Sequence, residues 1–307
     1  MKNGKYLITG CAGFIGSHLV NNLYKKYNLI LVDDLSRGKV IRLPKSLRKK
    51  LIKKKVQDIN DIKFKGLKGI VHLAAQSSVP ISIKNFYNSS KNNLESSLKV
   101  FEIAKTYSVP VVYASSSAIY GNLPIGDDFN NNFSISSPYA QDKLSTENYA
   151  QMISKVYNMS SIGLRFFNVY GPNQKADSTY SAVIPIFITK MRKNLPVTIN
   201  GGYQTRDFVY IDDVIKIIKM SMKKIQSKKF NDVFNVGTGN SIRINDLHKL
   251  VKKNIKNNSK IIRRPLDKYD PKRSLGNFKK LRTFFNLKKN FFTKIEDGLT
   301  KTIDYKK

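Results

Sequence analysis

One cysteine, Cys11, stands in the 307 residues. It has no partner for an internal disulfide, so a reducing, cytoplasmic setting is expected. No apolar run approaches the roughly 18 residues that a membrane span needs, so no membrane helix is expected. Strand-forming residues begin at Lys5, and no signal peptide is expected ahead of them. Acids are scarce: 21 Asp and Glu against 55 Lys and Arg, a net charge of +34. Such an excess can serve nucleic acids or anionic membranes. Here most of it is lysine spread along the whole chain, and the runs at 48–55 and 252–260 read as solvated faces or loops. No aromatic-interleaved RNA motif accompanies them. Neither nucleic acid nor membrane is therefore the expected partner, whereas a positive surface would draw in an anionic small substrate. No metal is called for. Hydrophobic residues make up 41%, enough for a substantial core in one large or two modest domains.

What is present is organised around Lys5-Tyr-Leu-Ile-Thr-Gly-Cys-Ala-Gly-Phe-Ile-Gly-Ser-His18. An apolar strand, Tyr6 to Ile8, breaks at Gly10 and re-enters regular structure as a helix at Phe14 and Ile15. Gly10 suits a tight turn that a Cβ resists. Gly13 lets backbone N–H groups approach an anion, and Gly16 lets helix and strand pack closely. The helix N-terminus adds free N–H groups and a partial positive charge, the elements of a phosphate site. A second strand, Tyr27 to Val32, ends in Asp33 and Asp34, with Ser36 just beyond. Asp33 lies 23 residues after Gly10, near the roughly 20 expected of a carboxylate that binds an adenosine ribose. A carboxylate there repels a 2′-phosphate, which favours NAD; Arg37 keeps NADP as a minor reading.

The rhythm continues. Lys53 to Val56 reads as a third strand, followed by Asp58 and Ile59 where a dinucleotide fold places its adenine. Gly69 to Leu73 is a fourth strand, ending in Leu73-Ala74-Ala75, whose small side chains let backbone pass close to a cofactor. A helix over Lys91 to Tyr107 and a strand over Pro110 to Tyr113 lead into Ser115-Ser116-Ser117. Alternation of this kind predicts an α/β fold: a Rossmann-type doubly wound parallel sheet with ligands at its C-terminal strand ends. A long polar loop, 120–137, precedes a helix from Pro138 to about Asn158, on which Tyr139 and Lys143 share a face. A strand at 160–167 ends in a turn, Asn168 to Pro172. Later segments read as a helix at 182–193, strands near Val197 and Phe208, a helix at 212–222 and a strand at 232–237. The expected division is a dinucleotide domain over 1–175, rejoined by about 205–240, and a smaller α/β substrate lobe mainly over 176–307.

Ser117, Tyr139 and Lys143 can form one catalytic set. Tyrosine has a reference pKa near 10, too high for a neutral-pH base. A nearby ammonium and a positive nicotinamide ring would have to lower it by about three units, or about 4 kcal/mol. The phenolate would then take a proton from a sugar hydroxyl that Ser117 orients, while the carbon gives hydride to NAD.

Gly10-Cys-Ala-Gly13-Phe-Ile-Gly16, Leu73-Ala-Ala75, Ser115-Ser-Ser-Ala-Ile-Tyr-Gly121, Tyr139-x-x-x-Lys143, Leu164-Arg-Phe-Phe-Asn168-Val-Tyr-Gly-Pro172 and Arg206-Asp-Phe-Val-Tyr210 run in order along the chain. With these motifs it resembles the extended short-chain dehydrogenase/reductases of the NAD-dependent epimerase/dehydratase family, and most of all the nucleotide-sugar 4-epimerases. The resemblance implies a tightly held NAD, a UDP-hexose substrate, a transient 4-keto sugar and a homodimer formed through the helices near 91–107 and 139–158. It assigns Asn92, Ser115, Phe166, Phe167 and Lys143 to the cofactor side, with Tyr139 touching both ligands and Ser117 the sugar. Asn168, Arg206, Arg264 and Asp267 fall to the nucleotide, and Ser274 to the sugar C2 substituent. A small residue at 274 implies tolerance of UDP-GlcNAc and UDP-GalNAc beside UDP-Glc and UDP-Gal. Phe208 stands where the family has tyrosine, and the chain runs a few residues longer between Asp267 and Arg273. A UDP-glucuronate 4-epimerase or decarboxylase is the runner-up, and a non-catalytic, NAD-bound scaffold for nucleic acid the alternative from another class.

Overall fold

The computed structural model describes residues 4–60, 64–176, 182–226, 230–256 and 258–305. In chain order the elements are β1 (Lys5–Thr9), α1 (Phe14–Leu23), β2 (Asn28–Val32), α2 (Lys45–Arg48), β3 (Leu51–Ile52), β4 (Leu67–His72), α3 (Val79–Lys84), α4 (Phe86–Thr106), β5 (Val111–Ser116), α5 (Pro138–Tyr157) and β6 (Ser161–Phe166). There follow β7 (Asn168–Tyr170), α6 (Val183–Arg192), β8 (Val197–Asn200), β9 (Thr205–Tyr210), α7 (Ile211–Lys224) and β10 (Asn231–Val236). The chain closes with β11 (Ser241–Arg243), α8 (Ile244–Ile255), β12 (Ile261–Arg264), α9 (Lys279–Phe285) and α10 (Ile295–Asp304).

Two compact units divide these elements. The first takes the chain through Ser116, then Ser137–Arg165 and Ile215–Phe234. The second takes Ser117–Ser136, Phe166–Val214 and everything from Asn235 on. The expected handover near 175 therefore comes earlier, and the return segment is 215–234 rather than about 205–240.

The first unit holds a seven-stranded sheet in the order β10-β6-β5-β4-β1-β2-β3. Its strands are apolar on both faces, as a parallel sheet covered by helices requires. Strand β1 pairs in parallel with β2 on one side and β4 on the other, so that Thr9 lies opposite both Val32 and His72. The strand order reverses between β1 and β4, and this is where a doubly wound sheet opens a crevice at its C-terminal ends. One face is covered by α4 and α5, whose Val100, Phe101, Ile103, Ala104, Ala150 and Ile153 pack with Leu7, Ile70, Val111 and Tyr113 in a single cluster.

The second unit has a three-stranded sheet, β11-β9-β7, and a two-stranded one, β12-β8. Asn168 to Tyr170 was expected to turn on composition; it forms β7, because β9 offers a parallel partner opposite Phe208, Val209 and Tyr210. The third strand is Leu51–Ile52, not 53–56. Lys53 to Lys55 are exposed, and Val56 reaches the core from a 3₁₀ turn over Val56–Asp58. Helix α4 begins at Phe86, its first turns too polar for the hydrophobic period to register. Among the described residues no helix is long and apolar enough to cross a membrane.

Candidate active site

The glycine turn leaves β1 at Gly10, whose φ is +65°. A Cβ on Gly10 would stand 2.6 Å from the Ala74 nitrogen, and one on Gly16 would stand 2.1 Å from the Gly10 oxygen. Both positions thus exclude any side chain, one for the close approach of β4's end and the other for helix packing. Gly13 is the N-cap of α1 and supplies no capping side chain, and the first turn carries no acid. The first N–H groups of α1 are thus left to an external acceptor. Cys11 is fully buried in this turn, and burial pushes its thiol far above the ordinary range.

Asp33 braces the turn. Its Oδ2 accepts from the Ala12 N–H at 2.8 Å and its Oδ1 from the Leu35 N–H at 2.9 Å. Burial raises its pKa, and these backbone hydrogen bonds oppose the rise. The carboxylate keeps acceptor capacity for a ribose hydroxyl. Asp34 Oδ1 accepts from both the N–H and the hydroxyl of Ser36. A turn closed to side chains, an uncapped helix start flanked by the half-buried Phe14 and Ile15, the Leu73–Ala75 backbone and a 2′-repelling acid together fit NAD.

Asp58 is exposed on its 3₁₀ turn, and the Ile59 side chain is sealed into the core, so only its backbone can face a ligand. Asn92 is half-buried, and the neighbouring Asn93 is buried. The Asn93 side chain accepts from Gln76 N–H at 2.8 Å, and its amide donates to Gln76 O at 3.1 Å and Asp142 Oδ2 at 2.9 Å. It thereby ties the segment after Ala75 to α5.

Helix α5 starts at a defined point. The Ser137 hydroxyl accepts from the Ala140 N–H at 3.2 Å, and Pro138 occupies the first turn, a pairing that sets helix starts. This puts Tyr139 in the opening turn and Lys143 one turn on, both buried. The Lys143 ammonium donates to Ala114 O at 2.8 Å and lies 5.9 Å from the Tyr139 ring centre. Burial brings it down to about 8, while Asp142 and Glu147 hold it up. The Tyr139 hydroxyl is hydrogen-bonded to the Ser116 side chain. Burial pushes the phenol above its ordinary value, the Ser116 bond pulls it back and Asp142 pushes it further up. Without a bound nicotinamide ring, burial therefore outweighs the Ser116 contribution, and the net direction is upward.

The triple serine sorts differently from the sequence expectation. Ser116 is the partner of Tyr139, while Ser117 opens the 3₁₀ turn Ser117–Tyr120 of the second unit. Ser115 is 2% exposed and its hydroxyl donates to Glu147 Oε1, so its side chain ties β5 to α5. Glu147 also takes a two-pronged grip from Arg165, Nε to Oε1 at 2.9 Å and Nη2 to Oε2 at 2.7 Å. His72, which burial and then Lys143 bring down to about 3, is neutral between Thr9 Oγ1 and Ser97 Oγ. A signal for Asp142 and Glu147 was available in the sequence: positions 139, 142, 143, 146 and 147 form an inward stripe on α5 that is polar where a core stripe would be apolar.

In the second unit, Asn168 Nδ2 donates to Asp207 O at 3.1 Å and reaches Ser274 Oγ at 3.5 Å. Asp207, pushed up to about 6 by burial against the donors of Thr238 and Gly239, holds the β9 end to that turn. Arg206 is nearly buried. It donates from Nη1 to Thr205 O at 2.8 Å and pairs through Nη2 with Asp270, a partner the sequence did not suggest. Phe166 ends β6; Phe167 packs between Tyr120 and Phe278 as an aromatic filler. Arg264, at the end of β12, and Asp267 are both exposed, and Asp267 Oδ1 accepts from Tyr269 N–H at 2.9 Å.

Comparison with known proteins converges on one family. A putative UDP-glucose 4-epimerase of Methanocaldococcus jannaschii is 34% identical over 260 residues, covering 81% of this chain and 82% of that protein. A UDP-glucuronate 4-epimerase of Thermodesulfobacterium geofontis is 30% identical, covering 99% and 96%. Among solved structures, the UDP-N-acetylglucosamine 4-epimerase of Methanobrevibacter ruminantium M1, in complex with UDP-N-acetylmuramic acid, matches with a TM-score of 0.91 at 33% identity over 99% of this chain and 98% of that one. The description "NAD dependent epimerase/dehydratase family" matches residues 6–237, the span that carries the glycine turn, Tyr139, Lys143 and Arg206. An NAD-using enzyme of the NAD-dependent epimerase/dehydratase family is what this chain is, and to that family it belongs.

Proposed function

We propose that the enzyme interconverts UDP-hexoses at C4, taking UDP-Glc and UDP-Gal and, with Ser274 in place, UDP-GlcNAc and UDP-GalNAc. The observation that carries the reading is Tyr139 and Lys143 buried one helical turn apart on α5, with the Lys143 ammonium donating to Ala114 O at 2.8 Å. NAD, when bound, supplies the hydride acceptor and a positive ring. Tyr139 Oη takes the proton of the sugar 4-hydroxyl and later returns it, and Ser116 holds the same oxygen. The Lys143 ammonium, bound to Ala114 O, would act together with the positive ring of NAD against the burial that keeps Tyr139 protonated. Arg206 takes the diphosphate, with Arg264 as a second cation, Asn168 as a neutral donor and Asp267 for the uridine ribose.

Two features favour epimerisation over dehydration. Elimination requires an acid and a base next to the strand-end serine. Ser117 and Ala118 stand there instead. The small Ser274 beside Asn168 leaves room for an N-acetyl group, where a tyrosine would not. A second reading, a UDP-glucuronate 4-epimerase, draws on the segment 264–273 and on the Thermodesulfobacterium relative. The homodimer is part of the proposal. Tyr149, Met152 and Val156 recur at helical spacing on α5 and are exposed, as are Phe86, Tyr87 and Leu98 on α4, and a second copy would cover them.

Purified protein incubated separately with UDP-Gal, UDP-GalNAc and UDP-GlcA tests the reading. Conversion of the neutral sugars to their C4 epimers is expected. Turnover of the uronate alone would overturn it.

A further inference from the structure

Arg206 is 8% exposed, yet the acid it pairs with sits on a partly exposed loop: the Asp270 side chain is 42% exposed. That loop belongs to the stretch between Asp267 and Arg273 in which the chain is longer than expected. Its far end is pinned, because Thr205 N–H donates to Lys272 O and Ser274 N–H to Thr205 O, each at 3.1 Å. Its near end is a small turn. Asp270 N–H donates to Asp267 O at 3.0 Å, and Asp267 Oδ1 accepts from Tyr269 N–H. Asp270 thus hangs from β9 and reaches back to the Nη2 edge of Arg206, while Nη1 is held by Thr205 O. A carboxylate and a diphosphate oxygen ask for the same thing of a guanidinium, two in-plane N–H donors and a positive charge.

We propose that Asp270 is a latch on Arg206: it occupies the guanidinium edge that a nucleotide diphosphate takes, and nucleotide binding releases it together with the turn that engages Asp267. The latch rests on the reading of Arg206 as the diphosphate residue. It sets affinity downward, since each binding event breaks an ion pair first. A part-exposed pair is a modest opponent, so the effect is small and a dianionic ligand overcomes it.

UDP alone, titrated calorimetrically into the NAD-loaded full chain, tests this in four proteins: wild type, Asp270→Asn, Arg206→Met and the double variant. Asp270→Asn is expected to tighten UDP about two- to five-fold, the scale of a part-exposed ion pair. The gain is expected to vanish in the Arg206→Met background. If Asp270→Asn weakens UDP or leaves it unchanged while Arg206→Met weakens it, the latch is wrong and Arg206 keeps its role. If Arg206→Met leaves UDP binding as it was, the reading of Arg206 fails and the latch with it. Should the methionine variant misfold by circular dichroism, Arg206→Lys keeps the charge, loses the fork and serves in the same cycle.

Discussion

Tyr139 and Lys143 were legible because a four-residue spacing on a helix needs no structure to interpret. The serine was not. Three consecutive hydroxyls, Ser115 to Ser117, carry identical chemistry and differ only in where the backbone points them as β5 ends. Ser115 turns to Glu147, Ser116 reaches Tyr139, and Ser117 starts the next turn. The consequence can be measured. Ser116→Ala is expected to lower kcat by about 10²–10³, as loss of a donor to a developing oxyanion does. Ser117→Ala is expected to stay within a few-fold of wild type. Equal losses in the two variants, in steady-state assays on UDP-Gal, would return the role to Ser117.

At the scale of elements, two strands and one helix meet at a polar knot. Ser115 on β5, Arg165 on β6 and Glu147 on α5 are buried together, with the Arg165 and Glu147 side chains 5% and 6% exposed. Removing one charge leaves the other stranded away from water, so Glu147→Gln is expected to cost about 3–5 kcal/mol of stability. The apolar pair Glu147→Leu with Arg165→Met is expected to recover most of that. Urea midpoints report both, and a single variant as stable as wild type would contradict the burial. Sequence reading placed the hosts of this knot well, since β5, α5 and β6 announce themselves by apolar runs and period. It missed elements whose regularity is hidden by charge. Helix α8 buries Ile244, Leu247, His248 and Val251 at helical spacing, but the lysines between them made its end read as solvent-facing chain.

Across the whole molecule, charge and connectivity set the behaviour. A net +34 surrounds a site proposed to take a dianionic nucleotide. Such a field concentrates anions, and salt screens it over about 10 Å at 0.1 M. KM for UDP-Gal is therefore expected to climb several-fold between low and physiological salt while kcat holds. A flat KM would assign the lysines to solubility alone. The alternation of strands and helices disclosed the doubly wound sheet in advance, but not the partition of the chain. The backbone passes between its two units five times, at 116, 136, 165, 214 and 234. A linear reading sees only a loosening of rhythm, because no change in composition marks those crossings.

The lone thiol offers a use of its own. Cys11 sits sealed beneath the glycine turn with its thiol held protonated, so an alkylating reagent can reach it only when that turn opens. The native chain thus carries an internal clock for breathing of its cofactor cradle, and a cysteine engineered onto the surface could take a dye with no competing thiol.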